Sequence, residues 1–319
     1  MTSLANEIHV PPSVESAHLP VMVRETLQAL APVEGGSFID CNVGEGGHTE
    51  AILSSVRSSR VLGIDLDYDA LARTSERLSD WSGQLTLHHG NFADLYRIAS
   101  SYRHIPVSGA LFDLGLSSAQ LDTPDRGFSF RHKGQLDMRF DQNAGISAHE
   151  IVNRWPGERL ESIIYELGEE PRAGRVARSI VRNRPIDTTV ELANVVIRAL
   201  NWPTYSRIHP ATRTFQAIRM AVNEEKENLE RGLDDAVQAL KPGGRLVVIS
   251  YHSIEDRMVK NFIRRSAAEC ICPPSIPECV CDSAPTLMPI NKRVIKPSIS
   301  ETQENPRARS ARMRVAERI

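Results

Sequence analysis

Apolar residues fall in short unbroken runs, each followed by a helical stripe, and this alternation recurs through the first third of the chain. "SFIDC" (37–41) reads as a buried strand and "TEAILSSV" as the helix after it. "RVLGIDLD" (60–67) is a second apolar run that ends in acids. "DALARTSERL" (69–78) reads as a helix with Leu71, Thr74, Ser75 and Leu78 on one face. "LTLHHGNF" (85–92) and "VSGALFDLGLSS" (107–118) supply a third and a fourth strand. Strands separated by helices at this spacing predict a parallel, doubly wound α/β sheet. From about Asp122 to Pro210 no strong strand signal remains. Leu160, Ile163, Ile164 and Leu167, then Leu192, Val195, Val196 and Ala199, follow the i, i+3, i+4, i+7 stripe of helices.

The strand–helix pattern then resumes. A long helical region starts at Ala211 and is stopped by Pro242-Gly243-Gly244. "RLVVISYHS" (245–253) is a fifth strand and "IEDRMVKNFIRR" a helix, whereas 270–306 reads as irregular with extended pieces such as "RVIKP". The expected organisation is one α/β domain (18–121 and 211–319) interrupted by an all-α inserted domain (122–210). Residues 1–17 read as a flexible leader.

Composition changes this picture little. With 319 residues, 41% hydrophobic and 24% charged, the chain is an ordinary globular one. No apolar run approaches the roughly 18 residues of a membrane helix. The start shows no signal peptide, and five cysteines with four crowded into 270–281 make no disulfide framework, so a cytoplasmic location is expected. Net charge is −2, but Arg126–Arg219 holds 15 basic against 10 acidic residues, about +5. The tail "NPRARSARMRVAERI" adds five arginines against one glutamate. Local basic excess of this kind suits a nucleic-acid partner or simply solvated helix faces.

Candidate chemistry sits at the strand ends. In "NVGEGGHT", Gly44, Gly46 and Gly47 lie where a dinucleotide turn would read G-x-G-x-x-G, but Thr49 occupies the third glycine position. That argues against a nicotinamide and a pyrophosphate. It leaves a close backbone approach at a helix N-terminus, suited to an adenosyl ligand with a carboxylate, such as S-adenosylmethionine. Asp65 follows Gly44 by 21 residues and ends the second strand, where ribose hydroxyls lie in nucleoside-binding sheets. Phe92 follows the third strand, and Asp113 lies at the end of the fourth beside a glycine.

"HLPVMVRETL", "DCNVGEGGHT", "GIDLD", "LFDLGLSSAQLDTPDRGFSF", "GQLDMRF", "HPATRTFQAIRMAVNEE", "GGRLVVISYHSIEDRMVK" and "NPRARSARMR" resemble successive motifs of one family. It is the bacterial S-adenosylmethionine-dependent small-subunit (16S) ribosomal RNA cytosine-N4 methyltransferase family, MraW-like, and the likeness runs from His18 to the tail. The resemblance implies a Rossmann-like class I methyltransferase sheet. It also implies a cofactor site in which Gly46, Gly47 and His48 hold the methionine part, Asp65 the ribose and Phe92 the adenine, with Asp113 and Gln120 completing the pocket. The implied partner is 16S rRNA in the small ribosomal subunit, with no membrane; a homodimer is left open. Departures are small: Asn42 stands where Thr is expected, Thr49 where Ser is usual and Tyr251 where Phe is usual.

On the substrate side, "RGFSFRHKGQLDMRF" mixes Phe128, Phe130 and Phe140 with Arg126, Arg131, Lys133 and Arg139, the residue types that stack on unpaired bases and hold phosphates. "SRIHPATRTFQ" brings Arg207, His209 and Arg213 to the point where the sheet resumes. The N4 amine of cytosine is a poor nucleophile, so it needs in-line positioning and an acceptor for its hydrogens. The Asp/Asn-Pro-Pro-Tyr motif of many amino methyltransferases is replaced here by "DLGLSS". Asp113 is therefore the first choice of acceptor, with Ser250 and His252 second. No metal ligand is assigned, although Cys270, Cys272, Cys279 and Cys281 are spaced C-x-C-x6-C-x-C and could hold zinc. The rival readings are a nicotinamide-dependent oxidoreductase and a non-catalytic RNA-binding assembly factor.

Overall fold

The computed structural model describes residues 20–201, 209–270, 272, 281 and 284–319. The expected leader and Arg207 lie outside these. Two compact units emerge, one of residues 1–115 with 228–319 and one of residues 116–227.

The first unit carries the sheet. Its elements are α1 (Val23–Leu30), β1 (Ser37–Asp40), α2 (Gly47–Ser55), β2 (Arg60–Asp65), α3 (Tyr68–Arg77), β3 (Leu85–His89), α4 (Leu95–Ser101) and β4 (Val107–Leu114). After the second unit, with its helices α5 (Ser118–Asp122), α6 (Ala148–Arg154), α7 (Gly157–Glu166), α8 (Ala173–Arg182), α9 (Thr189–Leu200) and α10 (Thr212–Val222), the helix α11 (Glu225–Ala239) leads back. Then come β5 (Leu240–Ser250), α12 (Ser253–Ser266), β6 (Leu287–Pro289), α13 (Ile299–Glu304) and β7 (Arg312–Arg318). The seven strands run in the order β3-β2-β1-β4-β5-β7-β6. The first five are parallel to one another; β7 is antiparallel to β5 and to β6.

Successive strand residues point to opposite faces, and both faces are covered. Ile39, Leu62, Ile64, Phe112, Leu246 and Val248 pack with residues of α4, α11 and α12. Phe38, Val61, Leu111, Val247 and Ile249 pack on the other side with residues of α1 and α2. Burial on both faces is why β1, β2 and β4 read as continuous apolar runs rather than as alternation. From β1 the chain winds outward to β3, then returns to the other side of β1 at β4. The C-terminal ends of β1 and β4 therefore flank the switch point of the sheet, where open α/β sheets bind ligands.

Several expectations need adjustment. Ser75, placed on the inner face of α3, is exposed, and Ala70 is buried instead. The long helical region is two helices, because α10 ends at Asn223. There the Asn223 amide donates to Met138 O and Arg219 O and accepts from Phe140 N, and Glu224 takes a φ of 48°. The Pro242–Gly244 stop lies inside β5, at a register shift against β4. The end of the basic tail forms the seventh strand. Met313, Val315 and Ala316 are buried in it, while Arg312 and Arg314 pair with Asp256 of α12.

The second unit has its own apolar core, formed by α6 to α10 and the loop before them. Leu160 and Ile164, and all four stripe residues of α9, are buried there. This unit is wider than the 122–210 expected for an insert. Ala211, Phe215, Ala217, Ile218 and Val222 belong to its core, so α10 packs with the helices that precede it in sequence.

Since Met313 of β7 is fully buried in the core that contains residues of α1 and α2, Met313→Ala should destabilise the protein by about 2–4 kcal/mol, read as a lowered urea midpoint at unchanged slope. A change below about 0.5 kcal/mol would mean that β7 is not part of the cooperative core.

Candidate functional site

The loop after β1 is held by side chains beneath it. Asp40, the last residue of β1, is buried, and its Oδ2 accepts from Thr49 Oγ1 at 2.8 Å. Burial pushes the Asp40 carboxyl above its usual range, against the lowering pull of His48 and of the Thr49 hydroxyl. Thr49, which breaks the dinucleotide spacing, thus partners a buried acid at the start of α2. Gly46 precedes that helix with a φ of 76°, and a Cβ there would lie 2.7 Å from Thr74 Cγ2 of α3. The loop needs glycine at this position both for its conformation and for its closeness to α3.

Asp65 ends β2 and binds two backbone amides. Its Oδ2 accepts from Gly44 N at 2.8 Å and its Oδ1 from Asp67 N at 2.9 Å. Burial raises the carboxyl to about 6, and the two amides only partly offset this. Two acceptances leave lone pairs for further donors. Asp67 caps α3 by accepting from Ala70 N.

His48 lies in the first turn of α2 and is 5% exposed. Its Nε2 is 3.5 Å from Asp113 Oδ2, and among the described residues neither ring nitrogen has a hydrogen-bond partner. At that distance the contact is one of charge rather than a well-formed hydrogen bond. Burial disfavours the imidazolium, but Asp113 at close range, with Asp40 and Glu301 beyond, outweighs it and leaves the net shift upward.

Asp113 itself sits near the end of β4, beside Ile249 of β5 in register. Its Oδ1 accepts from the Tyr251 hydroxyl at 2.8 Å. The Tyr251 phenol is pushed well above its ordinary value by burial and then by the charge of Asp113, so it remains a donor. Gly115 makes room for that ring: a Cβ there would lie 2.9 Å from Tyr251 Cε2. The sequence marks Tyr251 only as a departure from the family.

The remaining expected residues fall as follows. Phe92 opens a single 3-10 turn after β3 and packs edge-on against Phe112, with ring centroids 5.5 Å apart. Gln120 belongs to the second unit, where its Oε1 accepts from Ser117 N in the capping box of α5. Ser250 and His252, the second-choice acceptors, both make contacts within the first unit. Ser250 Oγ donates to Arg312 O of β7 at 3.3 Å. His252 caps α12, accepting from Glu255 N, with its Nε2 3.0 Å from Glu255 Oε1.

The loop expected to face the substrate is largely structural. Phe128 is buried and stacks on Phe140, and the buried Arg126 donates to Arg139 O and Phe140 O. Arg139 is held by Asp137 through its Nε and Nη2. Arg131 and Lys133 are exposed. Phe130 is half-buried and stacks on His209 at 4.3 Å.

Because the Asp65 carboxyl sits near 6 when folded and near 3.8 otherwise, its stabilising contribution is full below about pH 4 and is lost as pH rises through about 6. Relative to Asp65→Asn, the wild-type protein without ligand should lose about 1–3 kcal/mol between pH 4 and 7.5 in urea unfolding. A difference independent of pH would show that Asp65 titrates like a solvated acid.

The MraW methylase family matches residues 15–319. The ribosomal RNA small subunit methyltransferase H of Thermomicrobium roseum is 51% identical over 310 residues, which cover 96% of this chain and 95% of that protein. Its namesake in Dehalococcoides mccartyi strain BAV1 is 50% identical over 307 residues, covering 96% and 88%. That of Halothermothrix orenii is 45% identical over 309 residues, covering 95% and 98%. Since the likeness runs through both compact units and not through the sheet alone, the chain belongs to the MraW methylase family.

Proposed function

We propose that this protein transfers a methyl group from S-adenosylmethionine to the N4 amine of a specific cytidine in 16S ribosomal RNA. The observation that carries the chemistry is the buried His48 between Asp40 and Asp113 at the switch point of the sheet. Among the described residues its ring nitrogens are without hydrogen-bond partners, and a buried polar group of this kind calls for a ligand. An adenosyl ligand with an amino-acid arm fits these residues. His48 and the amides of Gly46 and Gly47 would hold the methionine carboxylate at the N-terminus of α2. Asp65 would accept from the ribose hydroxyls, and Phe92 would flank the adenine. Gln120 is retained as a further cofactor contact on the family resemblance.

S-adenosylmethionine supplies an electrophilic methyl on sulfur. A cytosine amine that took up this methyl would shed one hydrogen, the sulfur keeping the electron pair of its bond to carbon. Asp113 is the acceptor we assign. The Tyr251 hydroxyl fixes its Oδ1, which leaves Oδ2 to act on the His48 side. Acceptance matters chiefly in the transition state, where the nitrogen becomes acidic.

The second unit would carry the RNA. Arg131 and Lys133 stand exposed on a loop whose other charged and aromatic groups brace it, and Phe130 with His209 offers a stacked aromatic pair nearby in the same unit. Stacking and phosphate contacts of this kind suit an unpaired base in a structured RNA. A ribosomal substrate puts the work in the cytoplasm; among the described residues no helix is long and apolar enough to cross a membrane.

Asp113→Asn should lower the single-turnover rate of methyl transfer to small ribosomal subunits by about 100-fold or more while RNA affinity changes little. An unchanged rate would remove Asp113 as acceptor. Arg131→Ala and Lys133→Ala should each weaken RNA binding and reduce the slope of log K against log salt by about 0.7, with S-adenosylmethionine affinity unaltered in calorimetry. Full retention of the salt slope in the double variant would place the RNA on another surface.

A further inference from the structure

The cysteines of the loop between α12 and β6 take no part in the chemistry above. We propose that Cys270, Cys272 and Cys281 form a binding site for a thiophilic divalent cation, zinc in a reducing compartment. Their Sγ atoms all lie within 4.8 Å of one another. Cys270 Sγ and Cys281 Sγ are 3.9 Å apart. Two thiolates bound to one zinc at about 2.3 Å in a tetrahedron are separated by about 3.8 Å. The amide of Cys272 points at Cys270 Sγ with N···S 3.4 Å, a backbone donor that favours the thiolate. Residues eleven positions apart in sequence have thus been brought to one point.

The surrounding structure explains what the cation would do. The loop leaves α12 at Ser266 and returns at Thr286, where Thr286 N donates to Ser266 O at 2.7 Å. Arg318 of β7 then donates to Thr286 O, tying the base of the loop to the sheet edge. Hydrogen bonds join Ser266 to Thr286, and a metal clip would join Cys270 and Cys272 to Cys281. Soft thiolates select zinc over magnesium or calcium, and each thiol gives up its proton on ligation. Cys279, which by sequence spacing offers a fourth thiol, lies outside the described residues. Cys41 is the contrast: it is buried under the sheet, its thiol pushed well above the ordinary value by burial, and it stands apart from the cluster.

The test uses the full chain, purified with a reductant and without chelator, then given zinc or cobalt(II) and desalted. We expect about one metal ion per chain, and a cobalt adduct with the intense visible bands of tetrahedral coordination and sulfur-to-cobalt charge transfer. Cys270→Ser with Cys281→Ser should abolish the charge-transfer band while S-adenosylmethionine binding persists. Should that variant fail to fold, wild-type protein gives an independent readout. Zinc should shield Cys270, Cys272 and Cys281 from iodoacetamide, mapped by peptide mass spectrometry, and chelation should expose them, with Cys41 unreactive throughout. Protein with all three thiols reduced that takes up no zinc overturns the proposal. So does a weak octahedral cobalt spectrum, or purified protein that binds no metal and carries a Cys270–Cys281 disulfide.

Discussion

A buried carboxyl at the end of β1 is the constraint from which the site follows. Asp40 has almost no access to water, and an acid so placed must be compensated or neutralised. Its partners are Asn42 N in the loop, Thr49 Oγ1, and the electrostatic influence of His48, the last two in the first turn of α2. Satisfying Asp40 therefore fixes how α2 enters the sheet and brings His48 against Asp113 of the neighbouring strand. Glycine at Gly46 lets the loop reach that helix while lying on α3. The same loop presents Gly44 N to Asp65, so the ends of β1, β2 and β4 are linked through one turn.

The parallel part of the sheet was legible in the sequence because it is covered on both faces. Phe38 and Ile39, or Leu111 and Phe112, are equally apolar yet point into different cores, and a continuous run is what that requires. β7 was not legible for the opposite reason. Its arginines alternate with Met313 and Val315, so charge dominated the reading. Their role depends on Asp256, some fifty residues earlier in sequence, which only the fold brings near. The break at Asn223 was hidden in the same way. Its capping partners Met138 and Phe140 come from a distant loop, and local helical preference runs straight through the position.

As candidates, Asp65 and Asp113 are legible from strand ends alone, since the switch point of an α/β sheet is a property of strand order. Tyr251 is not, because its importance is a contact: a hydroxyl donating to Asp113 across two strands, over a glycine that leaves space for the ring. Ser250 and His252 have the composition of catalytic groups, and their neighbours use that polarity to join β5 to β7 and to cap α12. A polar side chain at a strand end is a candidate by position, and its hydrogen bonds decide whether the framework already claims it.

The loop from Arg126 to Phe140 shows why counting charges overstates an RNA surface. A guanidinium buried against two carbonyls, as in Arg126, is a structural cross-link, and the pair of Arg139 with Asp137 neutralises itself. The stacked Phe128 and Phe140 serve the core. These groups hold the backbone that carries Arg131 and Lys133 into solvent. Few exposed cations on a braced loop lose less conformational entropy on meeting phosphate than many on a loose one. Specificity for one cytidine would then come from the shape of the structured RNA, because so small a charged surface reads little sequence.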